Sequence, residues 1–153
     1  MKVYRISTSD YSDDLSGTGA RIYGGRWNKK GSPLLYCSEN VSLSIFEILV
    51  HFDSLTIPQD LELLELQIDG NQIEVFPLPQ FKKIKAAKDA EYQFKNAGQE
   101  WIKACTQLAL KVPSIISIYD HNILINPSHP NFSQIVKTKK ESLELDSRLF
   151  NVE

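Results

Sequence analysis

Glu47 is the side chain whose setting most needs a chemical explanation. It is the only acid in the run Leu43-Ser44-Ile45-Phe46-Glu47-Ile48-Leu49-Val50. An ionised carboxylate left unpaired in apolar surroundings is costly, so it must be paired, protonated or turned towards a cleft. One reading is a structural carboxylate tied to a backbone amide or an arginine. The other is a catalytic carboxylate carried on a rigid helix. His51 lies at i+4 from Glu47 on the same helical face, and a Glu–His pair is its simplest reading.

Arg26 stands in Gly24-Gly25-Arg26-Trp27-Asn28. Glycines beside an arginine leave open backbone next to a planar, bidentate anion binder, which suits phosphate. A salt bridge at a turn is the plainer alternative. Tyr36 sits on a strand, where it can stack on a base or simply pack. Ser114 follows Pro113 and reads as a turn residue. Asn126-Pro127-Ser128-His129-Pro130 reads as a rigid turn, and the lysine-rich stretches KKIKAAK and KTKK as solvated faces. The two cysteines, Cys37 and Cys105, are far apart and read as small buried hydrophobes. The three histidines, His51, His121 and His129, form no zinc motif. Gly17–Gly25 lacks the spacing of a dinucleotide fingerprint.

The elements that must position these groups follow from periodicity. Residues 1–7 alternate and read as an edge-like strand. Residues 8–20 form a long polar loop. Residues 21–28 look like a strand broken by Gly24-Gly25, followed by a turn at 29–33 and a short strand at 34–37. Asn40 or Ser42 caps a helix through 43–52 that is apolar nearly all round, hence buried. Residues 61–69 form a strand, with a turn at 69–71 and a short partner at 72–76. Residues 82–96 read as loop or partial helix, and 99–111 as an amphipathic helix with Trp101, Ala104, Cys105, Leu108 and Ala109 on one face. Strands are expected at 114–119 and 123–126, then a further segment at 132–138 and a short strand near 143–145. The class is α+β: one domain over 1–153, a mixed β-sheet core with packed helices.

Composition bounds the function classes. The chain has 153 residues, 42% hydrophobic and 24% charged, and is therefore globular. A net charge of −2 argues against nucleic-acid binding driven by overall charge. No apolar run approaches the ~20 residues of a membrane span. The first residues lack the apolar core of a signal peptide. The expectation is a cytoplasmic protein with no membrane partner and no direct nucleic-acid partner.

Taken together and in order, the blocks resemble the RES domain family, the toxins of bacterial RES–Xre toxin–antitoxin modules. They are VYRI at 3–6, SGTGARIYGGRWN at 16–28, GSPLLYCSE at 31–39, SLSIFEILVH at 42–51, VPS at 112–114, NILINPSHPNF at 122–132 and LDSRLF at 145–150. The resemblance implies a fold related to ADP-ribosyltransferase toxins and NAD as substrate, hydrolysed, phosphorolysed or used to ADP-ribosylate a target. It implies no bound cofactor and no metal; phosphate enters as co-substrate if cleavage is phosphorolytic. The family's catalytic arginine, tyrosine, glutamate and serine fall on Arg26, Tyr36, Glu47 and Ser114. Substrate-binding positions are Arg5, Gly25, Arg26, Tyr36, Asn122 and Asn126. In this picture Glu47 anchors the nicotinamide ribose, Arg26 holds the pyrophosphate or an attacking phosphate, Tyr36 orients the nicotinamide, and Ser114 bonds the carboxamide or ribose. An Xre-type antitoxin is the implied partner, and a homodimer the implied assembly. The chain departs from the family at 118–122, where Asp120 stands in a stretch that is otherwise Pro-Ser-Glu-like.

Overall fold

A computed structural model of the chain describes residues 1–52 and 56–149. Among them, seven strands build one mixed sheet: β1 (Lys2–Thr8), β2 (Leu35–Ser38), β3 (Leu61–Gln67), β4 (Ile73–Val75), β5 (Ala109–Pro113), β6 (His121–Ile125) and β7 (Val136–Ser142). Their order across the sheet is β4-β5-β6-β2-β1-β3-β7. Every neighbouring pair is antiparallel except β4 and β5. Among the described residues four α-helices accompany the sheet: α1 (Thr18–Tyr23), α2 (Val41–Leu49), α3 (Leu78–Lys85) and α4 (Ala90–Ala104).

Alternation along the strands makes two cores. Ile123 and Ile125 face one side with Val3, Leu35, Leu64 and Leu66. Leu124 faces the other with Leu110, Val112 and the aromatic residues of α3 and α4. There Trp27 meets Phe94 at 4.9 Å and Phe76 at 5.0 Å between ring centroids, and Phe81 meets Phe94 at 5.2 Å. This aromatic cluster matters for the site because Trp27 anchors the turn that carries Arg26.

Several local expectations are corrected. β1 is central, hydrogen-bonded to β2 and β3, and Val3 is fully buried. The solvated edge is β7, exposed along its whole length and rich in lysine, as natural sheet edges commonly are. Residues 18–23 are helix and not strand, and positive-φ glycines mark both ends, Gly17 (φ 69°) and Gly24 (φ 73°). The helix α2 is not buried all round. Leu43 and Ser44 are buried, while Phe46 and Val50 are 51% and 62% exposed.

The chain from β3 does not turn back upon it. A 3₁₀ turn at Gly70–Gln72 carries it across the sheet, and β4 pairs in parallel with β5. Pro79 lies in the first turn of α3, where its missing N–H costs nothing, so it starts a helix. The polar stretch 82–96 holds the end of α3 and the first part of α4. α4 stops at Cys105, which adopts φ 49°, and 109–111 belong to β5. Residues 114–119 are turns, 130–134 form a 3₁₀ segment, and 143–145 are irregular. Phe150, which closes the LDSRLF block, lies outside the described residues.

Candidate active site

The helix α2 holds Glu47 because Asn40 starts it firmly: Asn40 Oδ1 accepts from the Leu43 N–H at 2.8 Å. Two turns on, Glu47 Oε1 accepts from Ser114 Oγ at 2.8 Å and from Asn122 Nδ2 at 2.5 Å. Asn122 is itself held by Ser38 Oγ, which donates to its Oδ1 at 2.8 Å. The carboxylate thus draws its partners from the end of β5 and the start of β6. His51 is not one of them; it is exposed and lines the same cleft. Among the described residues, Glu47 Oε2 has no hydrogen-bond partner.

That cleft has a volume of about 970 Å³, at the top of the ~300–1,000 Å³ range of ligand sites. Its walls include Gly25, Arg26, Tyr36, Glu47, Ile116 and Asn122. Arg26 is exposed at the mouth and makes no hydrogen bond or ion pair among the described residues. Across from it, Glu91 and Lys95 of α4 pair with each other at 2.6 Å.

Tyr36 lines the cleft with its ring, but its hydroxyl is committed. It donates to Asn28 Oδ1 at 2.8 Å and accepts from the Trp27 N–H at 3.0 Å. Burial pushes the phenol well above its ordinary value. The contact explains Gly25, since a Cβ there would lie 2.5 Å from the Tyr36 oxygen. Asn28, fully buried, completes the arrangement: its Nδ2 donates to the carbonyls of Ala20 and Ser32 at 2.8 and 3.0 Å. Asn28 escaped sequence reasoning, although it sits in the same Gly-Gly-Arg-Trp-Asn block. A polar residue next to Trp27 and two positions from Arg26 is the available signal.

Ser114 is fully buried beneath Glu47. Its oxygen accepts from the Ile116 N–H at 3.0 Å while its proton goes to Glu47. In this geometry the hydroxyl acts upon the carboxylate, where a direct contact to ligand was expected. Arg5 faces a second, smaller cavity of about 230 Å³, which shares Tyr36, Glu47, His51 and Asn122 with the first. Its Nη1 donates to Ser7 Oγ at 2.9 Å and to the Tyr11 carbonyl at 3.1 Å, and burial lowers its pKa.

Asn126 stands apart. It lies four residues beyond Asn122, about 13 Å along the strand direction. Its Nδ2 reaches the Ile102 carbonyl at 3.4 Å, and its Oδ1 accepts from the Ser128 N–H at 3.0 Å. It closes the turn after β6 against the end of α4. His129 likewise caps the following 3₁₀ segment through Nδ1, which accepts from the Asn131 N–H. Cys37 is buried in the core and its thiol is pushed up to about 12 by that burial, which leaves it inert. No helix among the described residues is long and apolar enough to cross a membrane.

Comparison with known proteins agrees on one family. The RES domain model matches residues 2–146. Toxin Res of Photorhabdus laumondii is 34% identical over 97% of this chain and 97% of its own length. The Prs ADP-ribosylating toxin of a Sphingobium strain is 31% identical, covering 95% and 94%. In fold, the chain is similar to one from the crystal structure of the M. tuberculosis MbcT–MbcA toxin–antitoxin complex, with a TM-score of 0.75 at 16% identity, covering 97% of this chain and 86% of that one. The family match spans every block from VYRI to the residues that surround Glu47, and the chain belongs to the RES domain family.

Proposed function

We propose that the protein is a toxin that consumes NAD by breaking its nicotinamide–ribose bond. The observation that carries this reading is Glu47: one carboxylate oxygen pinned by Ser114 and Asn122, in the wall of a cleft that Arg26 also lines, an arginine with no hydrogen bond or ion pair among the described residues. Nicotinamide leaves as a neutral molecule from a pyridinium, so no general acid has to protonate it. A single carboxylate therefore suffices, whereas ordinary glycosidases need two. Glu47 Oε2 would take the ribose hydroxyls and stabilise the positive charge that grows on the sugar. Arg26 would bind the pyrophosphate, and the Tyr36 ring would border the nicotinamide. An antitoxin of Xre type would neutralise the enzyme by filling this cleft.

The acceptor decides the product: water gives ADP-ribose, phosphate gives ADP-ribose 1″-phosphate, and a protein nucleophile gives ADP-ribosylated protein. The name of the Sphingobium relative favours the last as a second reading. Incubation with NAD, with and without phosphate and with cell extract, followed by mass spectrometry, distinguishes the three. NAD left intact in every arm would refute the proposal.

A further inference from the structure

Glu39 lies outside both cavities, at the junction of β2 and α2, with its side chain 19% exposed. Its Oε1 accepts from the His121 backbone N–H at 2.7 Å and lies 3.0 Å from His121 Nδ1. An ionised carboxylate only accepts, so Nδ1 carries the proton. Its Oε2 holds Lys111 Nζ at 2.8 Å, and its own N–H donates to the His121 carbonyl at 3.0 Å. Residue 121 is therefore gripped through both backbone groups and its ring.

The neighbouring residue repeats the connection. Asn40, the cap of α2, reaches Asp120 Oδ1 with its amide at 3.4 Å. Asp120 accepts Ser117 Oγ at 2.7 Å, and its carbonyl accepts the Ser114 N–H at 2.9 Å. The segment 114–122 is thus fastened to the start of α2. That same segment carries Ser114 and Asn122, the donors to Glu47, while α2 carries Glu47 itself, about 10 Å of helix rise beyond Asn40.

We propose that Glu39 is a positioning residue for Glu47: it clamps His121, and with it Asn122, against the helix that bears the acid. The bonds to His121 and Lys111 are charge-assisted, hence stronger and more directional than neutral ones. Without them the 120–122 strand start loses the carboxylate that grips His121, leaving Asn122 held to Glu47 with less support, and hydrogen-bond geometry at Glu47 tolerates little displacement. The kinetic arm of the test rests on the NAD-cleaving reading; the spectroscopic arm does not.

The test compares the full chain with Glu39→Ala, Glu39→Gln and, as a control ion-pair removal on β7, Lys139→Gln. NAD consumption and the Asn122 side-chain amide resonances in ¹⁵N-labelled protein are measured on each. Glu39→Ala is expected to lose on the order of 10- to 100-fold in kcat, the range for displaced supporting groups. Its KM stays within about twofold, the mark of lost transition-state stabilisation. Its Asn122 resonances move. Glu39→Gln, which keeps an acceptor for His121, recovers part of both, and Lys139→Gln matches the wild type. A raised KM at unchanged kcat would make Glu39 a substrate-binding residue and overturn the proposal. Unmoved Asn122 resonances overturn it whatever the activity. If Glu39→Ala does not fold, Glu39→Gln decides alone by the same two readouts. If the wild type consumes no NAD, the enzymatic reading fails, and the resonances alone judge the clamp.

Discussion

The hydroxyl of Ser114 donates to Glu47 Oε1 at 2.8 Å, joining residues 67 positions apart in the chain. The bond orients a carboxylate from below, leaving its second oxygen for a ligand. Ser114→Ala removes this donor and the acceptor for the Ile116 N–H together. NAD consumption should fall on the order of 10- to 100-fold, chiefly in kcat. Stability should fall by about 1–3 kcal/mol, the usual result of stranding a buried polar partner. Steady-state kinetics and urea unfolding check the two parts separately.

Tyr36→Phe keeps the ring in the cleft but strips two buried partners, Asn28 Oδ1 and the Trp27 N–H. A loss of about 1–3 kcal/mol in unfolding free energy is expected. Activity should fall as well, because the turn bearing Gly25 and Arg26 loses its fixed point. A Tyr36→Phe protein of unchanged stability would contradict the assignment of the hydroxyl as a structural brace.

Gly98→Ala reverses the usual rule. Alanine inside a helix is normally favoured over glycine by about 1 kcal/mol. Here a Cβ would lie 1.8 Å from the Trp27 carbonyl oxygen, so α4 and the Arg26 turn cannot both stay in place. The variant should be destabilised by about 1–3 kcal/mol, as overpacked sites are. Thermal unfolding settles the sign.

The Glu39 cluster also sets an acid limit. Burial pushes the Glu39 carboxyl up, but hydrogen bonds from Lys111 and His121 outweigh it and hold the group below its ordinary 4.5. A depressed folded value means that the unfolded chain binds the proton more readily. The resulting stabilisation is present above pH 4.5 and is lost as pH falls through the lower folded value. The urea midpoints of wild type and Glu39→Gln should therefore converge between about pH 6 and pH 3. A difference that stays constant over that range would contradict this.

The sequence made Glu47 conspicuous, because an acid in an apolar run needs a reason. It could not show what holds that acid, since Ser114 and Asn122 reach it across 67 and 75 residues. His51 was the visible candidate at i+4, yet tertiary partners took its place. The helix α2 was legible as a helix, but its apolar content concealed that Phe46 and Val50 face solvent. Glycines at 24 and 25 were read as a broken strand. They instead end a helix and admit the Tyr36 hydroxyl, roles that depend on long-range packing. The edge status of β1 failed for the same reason: alternation reports which face is buried, and sheet order is decided by which strands find each other. Asn126 resembled a site residue through its motif, and the strand's length carried it away from the cleft.

The central claim is that Glu47 drives cleavage of the nicotinamide–ribose bond. The most direct measurement is release of free nicotinamide from NAD by the wild type and by Glu47→Gln, which keeps the side-chain size and removes the charge. The account predicts rapid release by the wild type and a loss of at least about 100-fold in the variant, the scale expected when charge stabilisation of the transition state is lost. Equal release by the two proteins, or none by the wild type, would contradict it.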